Sequence, residues 1–181
     1  AEYYMNHYQF DEAVDLLNQD IKKLNRKRQP TDVEEGKLQE IARFRSMMRA
    51  TERVTVIDSL VVDKNTFLNH IKLSPESGDI SPYSTFFHRT DENGCTVYLS
   101  ELGNKIYFAQ PDENKYLRLF TSDLVGGQWT APHKLDELDG DDAQNYPFML
   151  SDGITLYYAA QGEESIGGYD IFVTRYDMDE P

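Results

Sequence analysis

The chain has 181 residues, 39% hydrophobic and 28% charged, with a formal net charge of −14. That is enough for one ordinary domain or two small ones with a real core. It holds no apolar run of the ~18 residues a membrane-spanning helix requires, and no basic-then-apolar signal peptide at its start. Its one cysteine, Cys95, excludes an intrachain disulfide and any Cys-based metal site.

The charge is unevenly placed. Residues 1–70 carry 12 acidic and 11 basic side chains, whereas residues 71–181 carry 20 acidic and 7 basic. A field of that sign repels phosphate backbones and anionic lipid headgroups, so no nucleic-acid partner is expected.

The first third is predicted helical. Phe10, Ala13, Val14, Leu17, Ile21 and Leu24 recur at helical spacing and form one apolar stripe. Asp11, Glu12, Asp15 and Asp20 come early and Lys22, Lys23, Arg26, Lys27 and Arg28 late, an order that suits the helix dipole. The basic cluster has no interleaved aromatics and reads as a solvated helix end. Pro30 stops this helix. Thr31 with Glu34 forms a capping-box pattern for a second helix reaching about Arg49, with Leu38, Ile41, Phe44 and Met48 on its inner side. The short connection implies an antiparallel hairpin over residues 1–50.

Residues 51–94 are expected to connect. Val54, Val56, Asp58, Leu60 and Val62 alternate at period two and predict a strand, although Ile57 and Val61 break the polarity. Asp63 is placed to cap a short helix through Ile71, and Ser74 to Pro82 is rich in Ser, Pro and Gly and predicts a loop.

Residues 95–181 predict short strands at Thr96–Leu99, Lys105–Gln110, Tyr116–Ser122, Thr155–Ala160 and Tyr169–Tyr176, punctuated by Gly94, Gly103, Gly126-Gly127, Gly140 and Gly153. Two stretches repeat. Residues 103–109 match residues 153–159 at an offset of 50, and residues 119–122 match residues 171–174 at an offset of 52. A paired-strand unit of that size lies in the range of propeller blades.

The stretch from Tyr146-Pro147 through Ser151-Asp152-Gly153 and Tyr157, followed by Gly167-Gly168-Tyr169-Asp170-Ile171, resembles the TolB-type (WD40-like) β-propeller repeat. Trp129-Thr130-Ala131-Pro132 resembles the family's inter-blade strand. The family's Pro between Ser151 and Asp152 is missing, and Glu101-Leu102-Gly103 replaces Ser-Asp-Gly in the earlier copy. The resemblance implies about two incomplete blades in which Pro147, Ser151, Asp152, Gly153, Tyr157, Gly168, Tyr169 and Asp170 are structural. Asp152-Gly153 is expected to make the hairpin turn, and Asp170 to accept backbone N–H bonds that fix the next strand.

Phe10-Asp11-Glu12-Ala13 is similar to a tetratricopeptide repeat, though Tyr8 and Asp20 stand where smaller residues are usual. Helices followed by TolB-type blades resemble Gram-negative cell-envelope proteins, which implies a periplasmic or outer-membrane location and a protein or cell-wall polymer as partner. The fold class expected is therefore α+β, a helical hairpin followed by antiparallel blades of a partial propeller. Opening on Ala1-Glu2 and closing at Met178-Asp179-Glu180-Pro181 after a strand-like stretch, the sequence is expected to be a fragment.

Catalytic chemistry finds no support in the sequence. Gly162 and Gly167 imitate a phosphate loop, but Gly168-Tyr169 stands where Lys-Ser/Thr is required, so a hairpin turn is expected. His7, His70, His88 and His133 lack zinc spacing. Cys95 has no recognisable activating His and reads as structural. Asp136, Glu137, Asp139, Asp141 and Asp142 around Gly140 form the oxygen-rich type of loop calcium prefers, but without the EF-hand ligand order they read as a solvated turn. No cofactor is implied.

The expected function is a non-catalytic binding or scaffold module. The alternative is a carbohydrate-binding or glycosidase-related propeller, which predicts a carboxylate pair or an arginine cluster in a cleft with exposed aromatics beside it. Thr121-Ser122-Asp123 through Trp129 resembles a sialidase Asp-box with its spacing off by one, and a sialidase would also need Arg89, Arg118 and Arg175 to converge.

Overall fold

The computed structural model describes residues 1–64, 66–90, 94–138 and 143–177. The chain divides into two compact units, Ala1–Asp58 and Ser59–Pro181.

The first unit holds helices α1 (Glu2–Met5), α2 (Phe10–Arg26) and α3 (Asp32–Ala50). Helix α2 is long because its apolar positions fall on one stripe, from which Phe10, Ala13 and Leu17 are buried against Ile41 of α3. Val14, Leu38 and Phe44 pack around them. The Phe10 and Phe44 rings stack with centroids 6.1 Å apart, and Arg45 pairs with Asp11. The start of α2 therefore meets the end of α3, which makes the pair antiparallel. Two details differ from expectation. Thr31 takes the N-cap position, but its hydroxyl donates to the Glu35 carboxylate (2.7 Å) and makes no capping box with Glu34. Met48, expected inside, is exposed.

No strand forms over residues 54–62. Val54, Val56, Ile57, Leu60 and Val61 are all exposed there. Period-two alternation stabilises a strand only where a neighbouring strand takes up its backbone groups, and none pairs with this segment. The helix expected after Asp63 is a single 3-10 turn, Phe67–His70.

The second unit holds two antiparallel sheets. The first contains β1 (Asp79–Pro82), β2 (Thr96–Leu99), β3 (Lys105–Pro111), β4 (Leu117–Val125), β5 (Gln128–Trp129) and β6 (His133–Lys134). Its order is β1-β2-β3-β4-β5, with β6 pairing to the outer edge of β4. The second runs β7 (Ala143–Met149), β8 (Thr155–Gln161), β9 (Asp170–Arg175). Strand β1 falls where Ser and Pro predicted a loop; it is an edge strand, where a Pro such as Pro82 is tolerated. Gly78 leads into it at φ +76, with the Leu99 carbonyl oxygen 2.2 Å from where a Cβ would stand, so only glycine fits.

Helix α4 (Tyr83–Phe86) covers one face of the first sheet, the rings of Tyr83 and Phe87 lying 5.9 and 5.2 Å from Phe108. Strand β7 lies against β2, β3 and β4. Leu156 enters the same core as Val97, Ile106, Phe108 and Leu119, with Met149 and Tyr158 packed beside it. The fold is thus α+β with four α-helices among the described residues, and the two sheets do not close a ring. No helix among them is long and apolar enough to cross a membrane.

Candidate functional site

The two sheets are the same unit used twice, and their hydrogen bonds show it position by position. In β3–β4, Lys105 faces Asp123, Phe108 faces Phe120 and Ala109 faces Leu119; in β8–β9, Thr155 faces Arg175, Tyr158 faces Phe172 and Ala159 faces Ile171. Every pair keeps the offsets of 50 and 52 read from the sequence. In β2–β3, Tyr98 faces Tyr107, and in β7–β8 Phe148 faces Tyr157. The rings of Phe108 and Phe120 are stacked at 23° between planes, and those of Tyr158 and Phe172 at 24°.

The hairpin turns repeat as well. Ser100 N–H donates to the Lys105 carbonyl (2.9 Å) and Gly103 N–H to Ser100 (2.8 Å). Leu150 N–H donates to Thr155 (2.9 Å) and Gly153 N–H to Leu150 (3.0 Å). Gly153 takes φ +70, the left-handed conformation the turn requires. The carboxylate of Asp152 accepts from Ile154 N–H (3.0 Å), Thr155 N–H (2.9 Å) and the Thr155 hydroxyl (2.6 Å). The hydroxyl first, then the two N–H groups, hold its pKa below the usual carboxylate range. In the earlier copy Leu102 stands at this position, and the Ser100 hydroxyl oxygen takes over by accepting from Lys105 N–H (3.1 Å).

The other motif residues serve the same scaffold. Asp170, the first residue of β9, accepts from Ile166 N–H (2.6 Å) and so braces the turn that leads into the strand. Pro147 is buried in an irregular step of β7 between Asn145 and Phe148, where Tyr146 takes φ +54. Tyr157 is half-buried, while Ser151 and Gly168 lie exposed in turns. Gly168 has open space where a Cβ would be, so sterics do not demand glycine there. Gly162 sits in a hairpin turn closed by Ser165, as expected, and not in a phosphate loop.

The three arginines lie on separate segments of the chain. Arg89 lies over the Tyr83 ring, Arg118 pairs with Asp112 (3.5 Å), and Arg175 is on β9. Cys95 is buried, which pushes its thiol pKa up and makes it a poor nucleophile. Burial, with repulsion from Asp123, pushes Tyr107 up to about 12. Of the acidic turn, Asp136 and Glu137 form a 3-10 turn, whereas Asp139, Gly140, Asp141 and Asp142 lie outside the described residues. Among the described residues no group of His, Cys, Asp and Glu is arranged to hold a metal ion.

Among the described residues, strand β9 of the second sheet carries apolar side chains that are exposed where those of its counterpart β4 are buried, while Thr155 and Ala159 beside it on β8 are buried. Leu119 and Thr121 are 0% and 7% exposed, but their counterparts Ile171 and Val173 are 81% and 45% exposed. Tyr146 and Tyr169 add an exposed edge-to-face pair (centroids 6.0 Å). Tyr169–Tyr176 is expected as a strand, but three apolar residues in a row, Ile171, Phe172 and Val173, do not report which of them stand exposed on it.

Together these features define an α+β chain with a helical-hairpin unit and a unit of two repeated antiparallel sheets. Comparison with family models, with curated proteins and with solved structures finds no match.

Proposed function

We propose that the chain is a non-catalytic binding or scaffold module of a bacterial cell envelope, its second unit made of propeller-type blades. The observation that carries this reading is the repeat of register, turn bonds and ring stacks from one sheet to the next. Stacked sheets of this size are the building principle of propellers. Periplasmic or outer-membrane placement, and a protein or cell-wall polymer as partner, rest on the resemblance of residues 146–173 to the TolB-type repeat.

The non-catalytic part is supported by how the perturbed groups are used. Asp152 is committed to its turn and Tyr107 and Cys95 are burdened by burial, each a structural cause. The carbohydrate alternative is weakened at Trp129, which pairs through β5 with Leu124 and packs on Phe86 (5.8 Å) instead of standing free for a sugar ring.

The test is capture from envelope extract on the immobilised chain, run beside binding to purified peptidoglycan and to a glycan array. Retention of a specific protein without glycan binding is expected. Specific glycan binding with no protein retained would replace this reading with the carbohydrate one.

A further inference from the structure

Residues 54–62 hold no Pro or Gly and a single charge, Asp58. They lie inside the chain, between helix α3 and the turn at Phe67–His70, and no strand among the described residues pairs with them. Val56, Ile57 and Val61 are 80%, 96% and 100% exposed. Drawn out as a strand, the segment is apolar on both sides, with Val54, Val56, Leu60 and Val62 on one and Ile57 and Val61 on the other. That is the make-up of a strand covered on both faces. Left exposed, such a run is a template for pairing with another chain.

The flanking charges indicate which chain. Glu52 and Arg53 precede the run, and Asp63 and Lys64 follow it. Reversed about Asp58, the sequence sets Glu52 opposite Lys64 and Arg53 opposite Asp63. The same register sets Val54 opposite Val62, Thr55 opposite Val61 and Val56 opposite Leu60. Parallel in-register stacking would instead set each charge on its own like. We propose that residues 52–64 pair with the same residues of a second copy of this chain, as antiparallel strands related by a two-fold axis at Asp58. A two-fold contact is self-complementary and closes at two copies. The net charge does not oppose it there, because residues 1–70 carry 12 acidic and 11 basic side chains and the acidic excess falls in residues 71–181. Asp58 faces its own copy on the axis, and a two-stranded ribbon is marginal in water, so the association is weak. Such a dimer is independent of what the second unit binds.

The experiment is sedimentation of the full chain from micromolar to millimolar concentration, with amide hydrogen exchange read at both ends of that range. A reversible monomer–dimer equilibrium is expected, with exchange slowing within residues 54–62 as the dimer forms. Arg53→Asp sets acid against acid at two places in the dimer and should weaken it about ten-fold. Adding Asp63→Arg to that variant reverses the pair and should restore the affinity. Asp58→Asn removes the like charges on the axis and should tighten the dimer about three-fold. All three positions are exposed, so circular dichroism of the variants should match that of the wild type.

A chain that stays monomeric at millimolar concentration would overturn the proposal, as would assembly that continues beyond two copies. Slow exchange in residues 54–62 of the dilute monomer would also overturn it, since the chain would then cover the run itself. A dimer indifferent to Arg53→Asp, or one that the double variant leaves weakened, would rule out this register.

Discussion

Two polar side chains show how single residues hold the sheets. Gln144 is buried on β7; its side-chain oxygen accepts from Leu119 N–H (3.2 Å) and its amide nitrogen donates to the Leu138 carbonyl. It therefore satisfies a backbone donor at the edge of the first sheet from a strand of the second. Gln144→Ala is expected to cost about 1–3 kcal/mol in denaturant unfolding, because it leaves a buried N–H without an acceptor. Asp152 acts on the exposed turn. Its folded pKa is depressed, so its stabilisation is present above the unfolded value of about 3.9 and lost as pH falls through the lower folded value. Asp152→Asn should accordingly lower the melting temperature at pH 7 and narrow the gap to wild type in acid, as followed by circular dichroism between pH 7 and pH 2.

At the scale of elements, the sequence was legible where side chains alone determine structure. The apolar stripe of α2 and the Tyr- and Phe-rich runs of β2, β3, β4, β8 and β9 all form within a few residues of where they were expected. Strands β1 and β7 were missed for a physical reason. Pairing to β2 and to β8 makes them strands, while Ser81, Pro82, Gln144 and Asn145 carry turn-like or polar side chains. Residues 54–62 fail in the opposite direction: β-branched residues with no partner strand stay exposed. The exposure of Ile171 and Val173 on β9 is not legible, because exposure depends on what packs where, which periodicity does not report. Exposed, unpaired backbone is where proteases cut first. Trypsin should therefore cleave after Arg53 before it cuts within α2, α3 or either sheet, as read by mass spectrometry of early digests.

In the second unit one sheet pattern is placed twice, with Leu119 and Thr121 buried in the first copy and Ile171 and Val173 exposed in the second. The offsets of 50 and 52 survive in strand register, turn bonds and ring stacks. They break in burial, where Leu119 is enclosed and Ile171 is not. A protein that binds through such a surface keeps apolar residues there at a cost in solubility that its strongly acidic surroundings offset. The most direct measurement compares Leu119→Ala with Ile171→Ala in equilibrium unfolding. The structure predicts a loss of about 2–5 kcal/mol for the first, and a change within about 0.5 kcal/mol for the second. Equal large losses would mean that Ile171 is buried in the free protein, and that the two copies of the pattern do not differ in burial as described.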